Sequence, residues 1–320
     1  MKVINMETLQ VGDIVLTTSN QTTSAIIRAL SRSDVSHAMI CVSPGSVIDS
    51  TFDRVQSRNV QKILYEDDCA IYIMRPKVPL PAPTLKKIID YARSLIGTPY
   101  SLVPGDKQYC SRLVATAYAK GGIQLVNNID VCSPGSLQKS SLLYQVEPAS
   151  IQIDDSYRRV NFQVDTTEIM RIATKKLLDI VSKIDSSVLN LNDIINLAIQ
   201  RPELDQVISA ALSSSGYLSV CMVDPERFPW RYCSDQIFDL YYSFDDKSDL
   251  LWYCNYIIST DADGSYSHYE INLQQSLSLN SRYPRLYFQN LIDLYKTLCD
   301  QHNTRVYVAR KLLSLHESLQ

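Results

Sequence analysis

Cys110 is the residue of this chain whose setting most favours chemistry. It lies in Gln108-Tyr109-Cys110-Ser111-Arg112, where the pattern predicts the start of an amphipathic helix ending in Gly121-Gly122. Leu113, Val114, Ala117 and Tyr118 mark the apolar face of that helix, and Arg112, Thr116 and Lys120 mark the other. A thiol at a helix N-terminus meets the positive end of the dipole and unpaired backbone N–H groups, both of which favour the thiolate. Of the four histidines only His37 falls in the first 150 residues, in Ser36-His37-Ala38-Met39-Ile40. Asp49 follows in Ser46-Val47-Ile48-Asp49-Ser50. A thiol that attacks, an imidazole that takes and returns its proton, and a carboxylate that orients the ring are the three parts of a thiol hydrolase. Each also has an ordinary structural reading: a buried cysteine, a hydrogen-bonded histidine, a turn or capping aspartate.

Short elements must bring these residues together. The runs around His37 and Asp49 read as two strands joined by the turn Ser43-Pro44-Gly45, a hairpin that could set imidazole beside carboxylate. Gly12-Asp13-Ile14-Val15-Leu16 opens the chain as a strand, followed by a short helix over residues 23–30. A strand at Ala70-Ile71-Tyr72-Ile73-Met74-Arg75 and a helix over residues 84–95 come next, then Gly97-Thr98-Pro99-Tyr100-Ser101 and the Cys110 helix.

This order of motifs resembles the circularly permuted NlpC-type papain-like cysteine hydrolases, the YiiX-like group related to lecithin:retinol acyltransferase. In that group a Gly-Asp-Ile strand leads, a Ser-His-Ala histidine precedes the nucleophile, a Gly-x-Pro-Tyr turn follows a helix, and Tyr-Cys-Ser starts the nucleophile helix. Cys132-Ser133-Pro134-Gly135-Ser136-Leu137 is similar to a further element of the family. The resemblance covers residues 10–148. It implies a catalytic Cys110, with His37 as general base and acid and Asp49 as the orienting carboxylate. Many relatives carry Glu at the third position, and the shorter Asp49 leaves Asp34 and a backbone carbonyl as alternatives. The Cys110 backbone N–H would be one oxyanion donor, and Tyr100 or Tyr109 could supply a second.

The expected fold class is α+β: a permuted papain-like N-terminal domain over residues 1–155, its antiparallel sheet packed on the nucleophile helix, and a mainly α-helical domain of unknown role over 156–320. The chain has 320 residues, 45% of them hydrophobic, enough for two cores. Its net charge of −3 is unevenly spread. Residues 1–150 hold 15 Lys and Arg against 12 Asp and Glu, and the remainder 16 against 22. Neither half has the dense basic cluster of a nucleic-acid binder. No charged segment leads an apolar run at the N-terminus, and no run approaches a membrane span. Eight cysteines scattered without a CxxC pair suggest neither a disulfide framework nor a zinc site, and no cofactor is expected. The expected compartment is a reducing cytoplasm, with delivery as a non-classically secreted effector the alternative.

In the second half, helices are expected at 166–184, 191–199, 203–212, 236–242, 287–298 and 304–315. Tyr217-Leu218-Ser219-Val220-Cys221-Met222-Val223 reads equally as strand or buried helix. Tyr232-Cys233-Ser234 repeats the nucleophile motif without a histidine context and reads as coincidence. His268, His302 and His316 read as surface or capping residues, and the abundant aromatics as core or a partner-binding face. The function expected is a cysteine hydrolase or acyltransferase acting on an amide, ester or thioester. Its substrate would be a lipid acyl group or a peptide or isopeptide, with a possible protein partner for the second half. The alternative is a non-catalytic binding or scaffold protein that retains the fold.

Overall fold

Apolar runs in the first half pair into a six-stranded antiparallel sheet. The strands are β2 (Ile14–Thr17), β3 (His37–Ser43), β4 (Ser46–Ser50), β5 (Val55–Asn59), β6 (Ile71–Pro76) and β7 (Leu143–Val146), in the order β5-β4-β3-β2-β6-β7. A separate pair joins β1 (Lys2–Ile4) to β8 (Ser150–Gln152). This computed structural model describes residues 1–18, 33–51, 54–100, 109–153, 166–262 and 264–320. The helix expected over 23–30 lies outside the described residues. The hairpin at Pro44-Gly45 forms, with Ser43 opposite Ser46 and Gly45 at a φ of 69°.

Both faces of the sheet are covered, which is why β2 is buried at every position rather than at alternate ones. Ile14, Leu16, Ala38 and Ile40 pack on α1 (Ala82–Ser94) and α2 (Cys110–Lys120) through Ile88, Ala92, Leu113, Val114 and Tyr118. Val15, Met39, Cys41, Val47 and Ile73 meet Ile4, Val60, Ile63 and Tyr65 on the other face. Each large side chain so buried stabilises the fold by about 1.5–3 kcal/mol. Helix α1 begins two residues before the expected start because Pro83, which reads as a breaker, has a fixed φ suited to a first helical turn.

The Gly-Asp-Ile motif is architectural. Gly12 sits at a φ of 95°, a backbone conformation that favours glycine, and lies against Leu85 of α1, whose Cδ1 a Cβ there would approach to 2.8 Å. Its N–H donates to the Cys41 carbonyl, and the Tyr118 hydroxyl donates to its oxygen. Asp13 is buried and takes 2.7 Å hydrogen bonds from Arg75 Nε and Nη2, a bidentate pair that ties the start of β2 to β6.

The chain divides into two compact units, residues 1–153 with Leu189–Asp193, and the remainder. The second is helical: α4 (Thr166–Val181), α5 (Leu191–Gln200), whose first three residues fall in the first unit, α6 (Asp205–Ser214), α7 (Val223–Arg227), α8 (Ser234–Ser243), α9 (Ser248–Ala262), α10 (Ser267–Arg282) and α11 (Leu286–Ser318). The first unit also contains α3 (Pro134–Gln138). The α+β class and the helical C-terminal part stand as expected. The two helices expected at 287–298 and 304–315 are one, because Cys299-Asp300-Gln301-His302-Asn303 is polar but holds no Gly or Pro to stop α11. The helices α9 and α10 have no counterpart in the sequence reading. Helix α10 buries only Ser276, so it lacks the apolar stripe that marks a helix in sequence. Residues Tyr217–Met222 form a 3-10 helix. His302 corrects its surface assignment: it is buried on α11, with Nε2 3.0 Å from Asp261 Oδ1. His316 Nδ1 pairs with the Tyr241 hydroxyl at 2.7 Å. Among the described residues no single helix is long and apolar enough to cross a membrane, although the bent pair Pro202–Ser214 and Tyr217–Arg227 meets the length and composition.

Removing the Asp13 carboxylate would leave the Arg75 guanidinium without its counter-charge beneath the sheet, with the Thr8 carbonyl still accepting from Nη2 at 2.7 Å. The Asp13→Ala variant is expected to lose about 3 kcal/mol of unfolding free energy. Urea denaturation checks this, and a wild-type midpoint in the variant would refute the role given to the pair.

Candidate active site

Strand register brings imidazole and carboxylate together. Met39 stands opposite Asp49 across the β3–β4 pair, and His37, two residues before Met39, therefore lies diagonal to Asp49 on the same face. Diagonal neighbours on one face are within reach of long or aromatic side chains. His37 Nε2 is 2.9 Å from Asp49 Oδ2. Because His37 opens β3, its ring stands at the end of the strand, where 20% of the side chain meets solvent, while Asp49 is wholly buried.

The thiol arrives from the other direction. Tyr109 is the extended N-cap of α2 and offers no side-chain cap, so Cys110 opens a helix whose first N–H groups are left to other acceptors. Two backbone N–H groups, of Ala38 and Ser111, donate to the Cys110 sulfur, and the thiol is hydrogen-bonded to His37. With Nε2 held by Asp49, Nδ1 is the ring nitrogen left for the thiol. The first turn of α2 is pinned to the segment that follows the helix. Ser111 Oγ donates to the Cys132 carbonyl at 2.9 Å, and Arg112 Nη2 lies 3.0 Å from Asp130 Oδ1. A capping box between Ser133 and Ser136 shapes the next turn, α3, and Leu137 plugs it into the core.

The charges of the three groups support one another. Burial opposes ionisation of the Cys110 thiol, yet the hydrogen bond and charge of His37, with the two N–H donors, hold it below its ordinary value of 9.0. Burial likewise opposes the imidazolium, but Asp49 and then Cys110 raise His37 to about 10. Asp49 is lowered: burial works against its charge, while His37 and then Arg58 more than offset it. All three shifts run in the direction that favours a thiolate–imidazolium pair over the neutral one. At other thiols burial outweighs whatever partners they have, and it pushes Cys132 and Cys254 up to about 12 and Cys41 beyond that range.

Arg58 is the residue the sequence reading missed. It lies on β5, and its Nη1 donates to Asp49 Oδ2 at 3.1 Å, the oxygen that also serves His37. Asp49 Oδ1 is sealed from solvent with no hydrogen-bond partner. A buried carboxylate with a single neutral donor costs several kcal/mol, and a guanidinium beside it removes much of that penalty. The only sequence signal was a basic residue inside a polar edge strand, Val-Gln-Ser-Arg-Asn.

The remaining site candidates separate. Asp34 accepts from the Tyr72 hydroxyl and from Gln138 Nε2, so it does not serve His37. The Tyr109 hydroxyl donates to the Asp130 and Ile129 carbonyls at 2.9 and 3.3 Å, which corrects its assignment as an oxyanion donor. Tyr100 follows the Gly97 turn, which is fastened to β5 by the Gly97 N–H to Val55 oxygen bond and by Arg54 Nη1 on the Gly97 carbonyl. The phenol is half-buried near the thiol. Burial first, and then Cys110, raise it to about 12, so it stays protonated. Among the described residues no group of three His, Cys, Asp or Glu side chains is arranged to hold a metal ion.

Comparison with known proteins agrees with the motif order. Residues 8–161, a little under half of the chain, match the family described as permuted papain-like amidase enzyme, YaeF/YiiX, C92 family. Among solved structures the chain is similar to the crystal structure of metalloprotein yiiX from Escherichia coli O157:H7. That similarity has 18% identity and a TM-score of 0.32, covering 43% of this chain and 96% of the other. No curated protein matches.

The electrostatics fix the pH behaviour of the thiol. Iodoacetamide at pH 7 is expected to label Cys110 ahead of Cys41, Cys132 and Cys254, with a labelling midpoint below 9.0. In His37→Ala only the Ala38 and Ser111 N–H groups are left to oppose burial, and the midpoint should move upward from that of the wild type. Arg58→Gln should shift it upward by a smaller amount, because Asp49 then holds the imidazolium less firmly. Peptide mass spectrometry reads all three profiles, and equal labelling of the cysteines would contradict this account.

Proposed function

With a permuted papain-like amidase domain of the YaeF/YiiX, C92 family over its residues 8–161, we propose that the chain is a cysteine hydrolase or acyltransferase that opens an amide, ester or thioester through a Cys110 acyl-enzyme. The observation that carries this reading is the hydrogen-bonded run from Cys110 through His37 to Asp49.

In this reading the Cys110 thiolate attacks the carbonyl carbon, and the carbonyl oxygen becomes an oxyanion. The Cys110 backbone N–H at the start of α2 is one donor to it, with the dipole of the helix behind it. Tyr100, whose phenol remains protonated, is the candidate for the second. Collapse of the tetrahedral adduct breaks the carbonyl bond to the leaving group, which takes the proton of the His37 imidazolium. Neutral His37 then accepts a proton from water, or from an acceptor hydroxyl, thiol or amine, as that group attacks the acyl-enzyme. A second tetrahedral adduct collapses, the acyl product departs, and the thiolate–imidazolium pair is restored. Asp49 keeps Nε2 protonated and Nδ1 turned to the sulfur throughout, and Arg58 keeps Asp49 ionised. The substrate is proposed to be a lipid acyl group or a peptide or isopeptide, and the helical second half to select it or modulate access. A reducing compartment fits this chemistry, because all eight cysteines are free thiols.

A panel of amide, ester and thioester substrates, paired with intact-mass detection of the acyl adduct, tests the reading. Cys110→Ala is expected to abolish both turnover and adduct, and His37→Ala to remove most of the rate. Asp49→Asn is expected to cost about 10²-fold in kcat or more, since the amide cannot stabilise the imidazolium. Full turnover in Cys110→Ala would sink the mechanism.

A further inference from the structure

The helical second unit holds one buried and one partly buried guanidinium group and supplies a carboxylate to the first of them. Arg231 is 7% exposed, and its Nη1 lies 2.7 Å from Asp224 Oδ1. The other oxygen of Asp224 accepts from the Tyr232 hydroxyl at 2.7 Å, so this carboxylate is fully engaged. Arg305, on α11, is partly buried with its guanidinium 5.1 Å over the Tyr266 ring and 6.0 Å over Tyr232. Among the described residues no carboxylate comes within 4.0 Å of Arg305. The two cations share one aromatic surround, for Arg231 lies 3.9 Å over Phe228 and 4.9 Å over Tyr253, and Tyr253 packs on Trp230.

Three hydrogen-bond donors in this cluster are sealed from solvent without an acceptor: Arg231 Nε, Arg305 Nε and the hydroxyl of Tyr253, a residue only 3% exposed. Burial pushes the Tyr253 phenol up, while Arg305 and then Arg231 pull it back, which places the hydroxyl in the field of both cations. Aromatic faces partly compensate a buried cation, but they accept no N–H in the guanidinium plane. Buried donors are otherwise almost always satisfied, and a buried charge is normally paired. An anion with several acceptor oxygens would answer all three donors. A carboxylate offers two oxygens in one plane. Donors on three separate side chains, with one uncompensated positive charge, suit the tetrahedral oxygens of a phosphate better.

We propose that Arg305, Arg231 and Tyr253 form a binding site for a phosphate group, separate from the thiol chemistry of the first unit. Two sources share that chemistry, a soluble phosphate compound and the headgroup of a phospholipid.

The test uses the full chain in a phosphate-free buffer. Inorganic phosphate, titrated up to about 10 mM, is followed by calorimetry and by the thermal midpoint. Separately, sedimentation is measured with phosphatidylcholine vesicles with and without phosphatidic acid. Saturable binding in either arm, weakened at least about tenfold in Arg305→Gln, supports the site, and the arm that responds identifies the source. Tyr253→Phe keeps the ring packing and removes only the unpartnered hydroxyl. It should weaken binding several-fold with the ligand-free midpoint unchanged, so the result stands even if Arg305→Gln folds poorly. Binding in neither arm, or equal binding by wild type and both variants, overturns the proposal. Cys110→Ala should bind phosphate as wild type does, which keeps this outcome independent of the proposed hydrolase activity.

Discussion

The candidate site depends on one buried negative charge. Asp49 has no exposed surface, and a carboxylate in that position persists only if cations answer it. Two do: His37 at 2.9 Å and Arg58 at 3.1 Å, converging on the same oxygen. From that arrangement the rest follows in order. The ionised carboxylate favours an imidazolium, the imidazolium favours a thiolate, and the helix terminus adds its own field at the sulfur. Each step offsets the desolvation that would otherwise keep the next group neutral.

Such coupling demands rigid placement, and the fold supplies it from two independent directions. Strand pairing fixes His37, Asp49 and Arg58 on three consecutive strands, with register held by the Pro44-Gly45 hairpin. Helix packing fixes Cys110: the apolar face of α2 lies on the sheet, while Ser111, Arg112 and Tyr109 tie its first turn to residues 129–133. The Gly12 turn, with the Asp13–Arg75 pair beneath it, holds helix layer and sheet in contact. These contacts perform no chemistry, yet they set where the thiol stands relative to the ring.

The second unit is organised on a different principle. Its core around α8, α9 and α11 is built from Ile237, Leu250, Ile257, Val306 and Leu312, with tyrosines filling the gaps between helices. Tyrosine brings hydroxyl groups into an interior, and most find partners there, as Tyr241 does on His316 and Tyr232 on Asp224. Among the described residues the buried exception is Tyr253, beside Arg231, where aromatic rings surround a cation instead of aliphatic side chains.

By itself the sequence determined the local elements and the chemistry of their termini. Apolar periodicity placed the Cys110 helix and most helices of the second half, Pro44-Gly45 placed the hairpin, and the scarcity of histidine singled out His37. These are short-range properties, set by a few neighbouring residues. It could not resolve α9 and α10, whose aromatic or polar faces blur the period, nor the continuity of α11 through its polar middle. Tertiary structure decided everything that depends on register and approach. It put Asp49 rather than Asp34 beside His37, because Asp34 faces Tyr72 and Gln138 instead. It turned the Tyr109 hydroxyl toward the carbonyls of residues 129 and 130. It brought in Arg58 from a strand with no chemical signature. The physical reason is that a one-residue change of register sends a side chain to the opposite face of a sheet, and no local pattern encodes which face a partner strand will present.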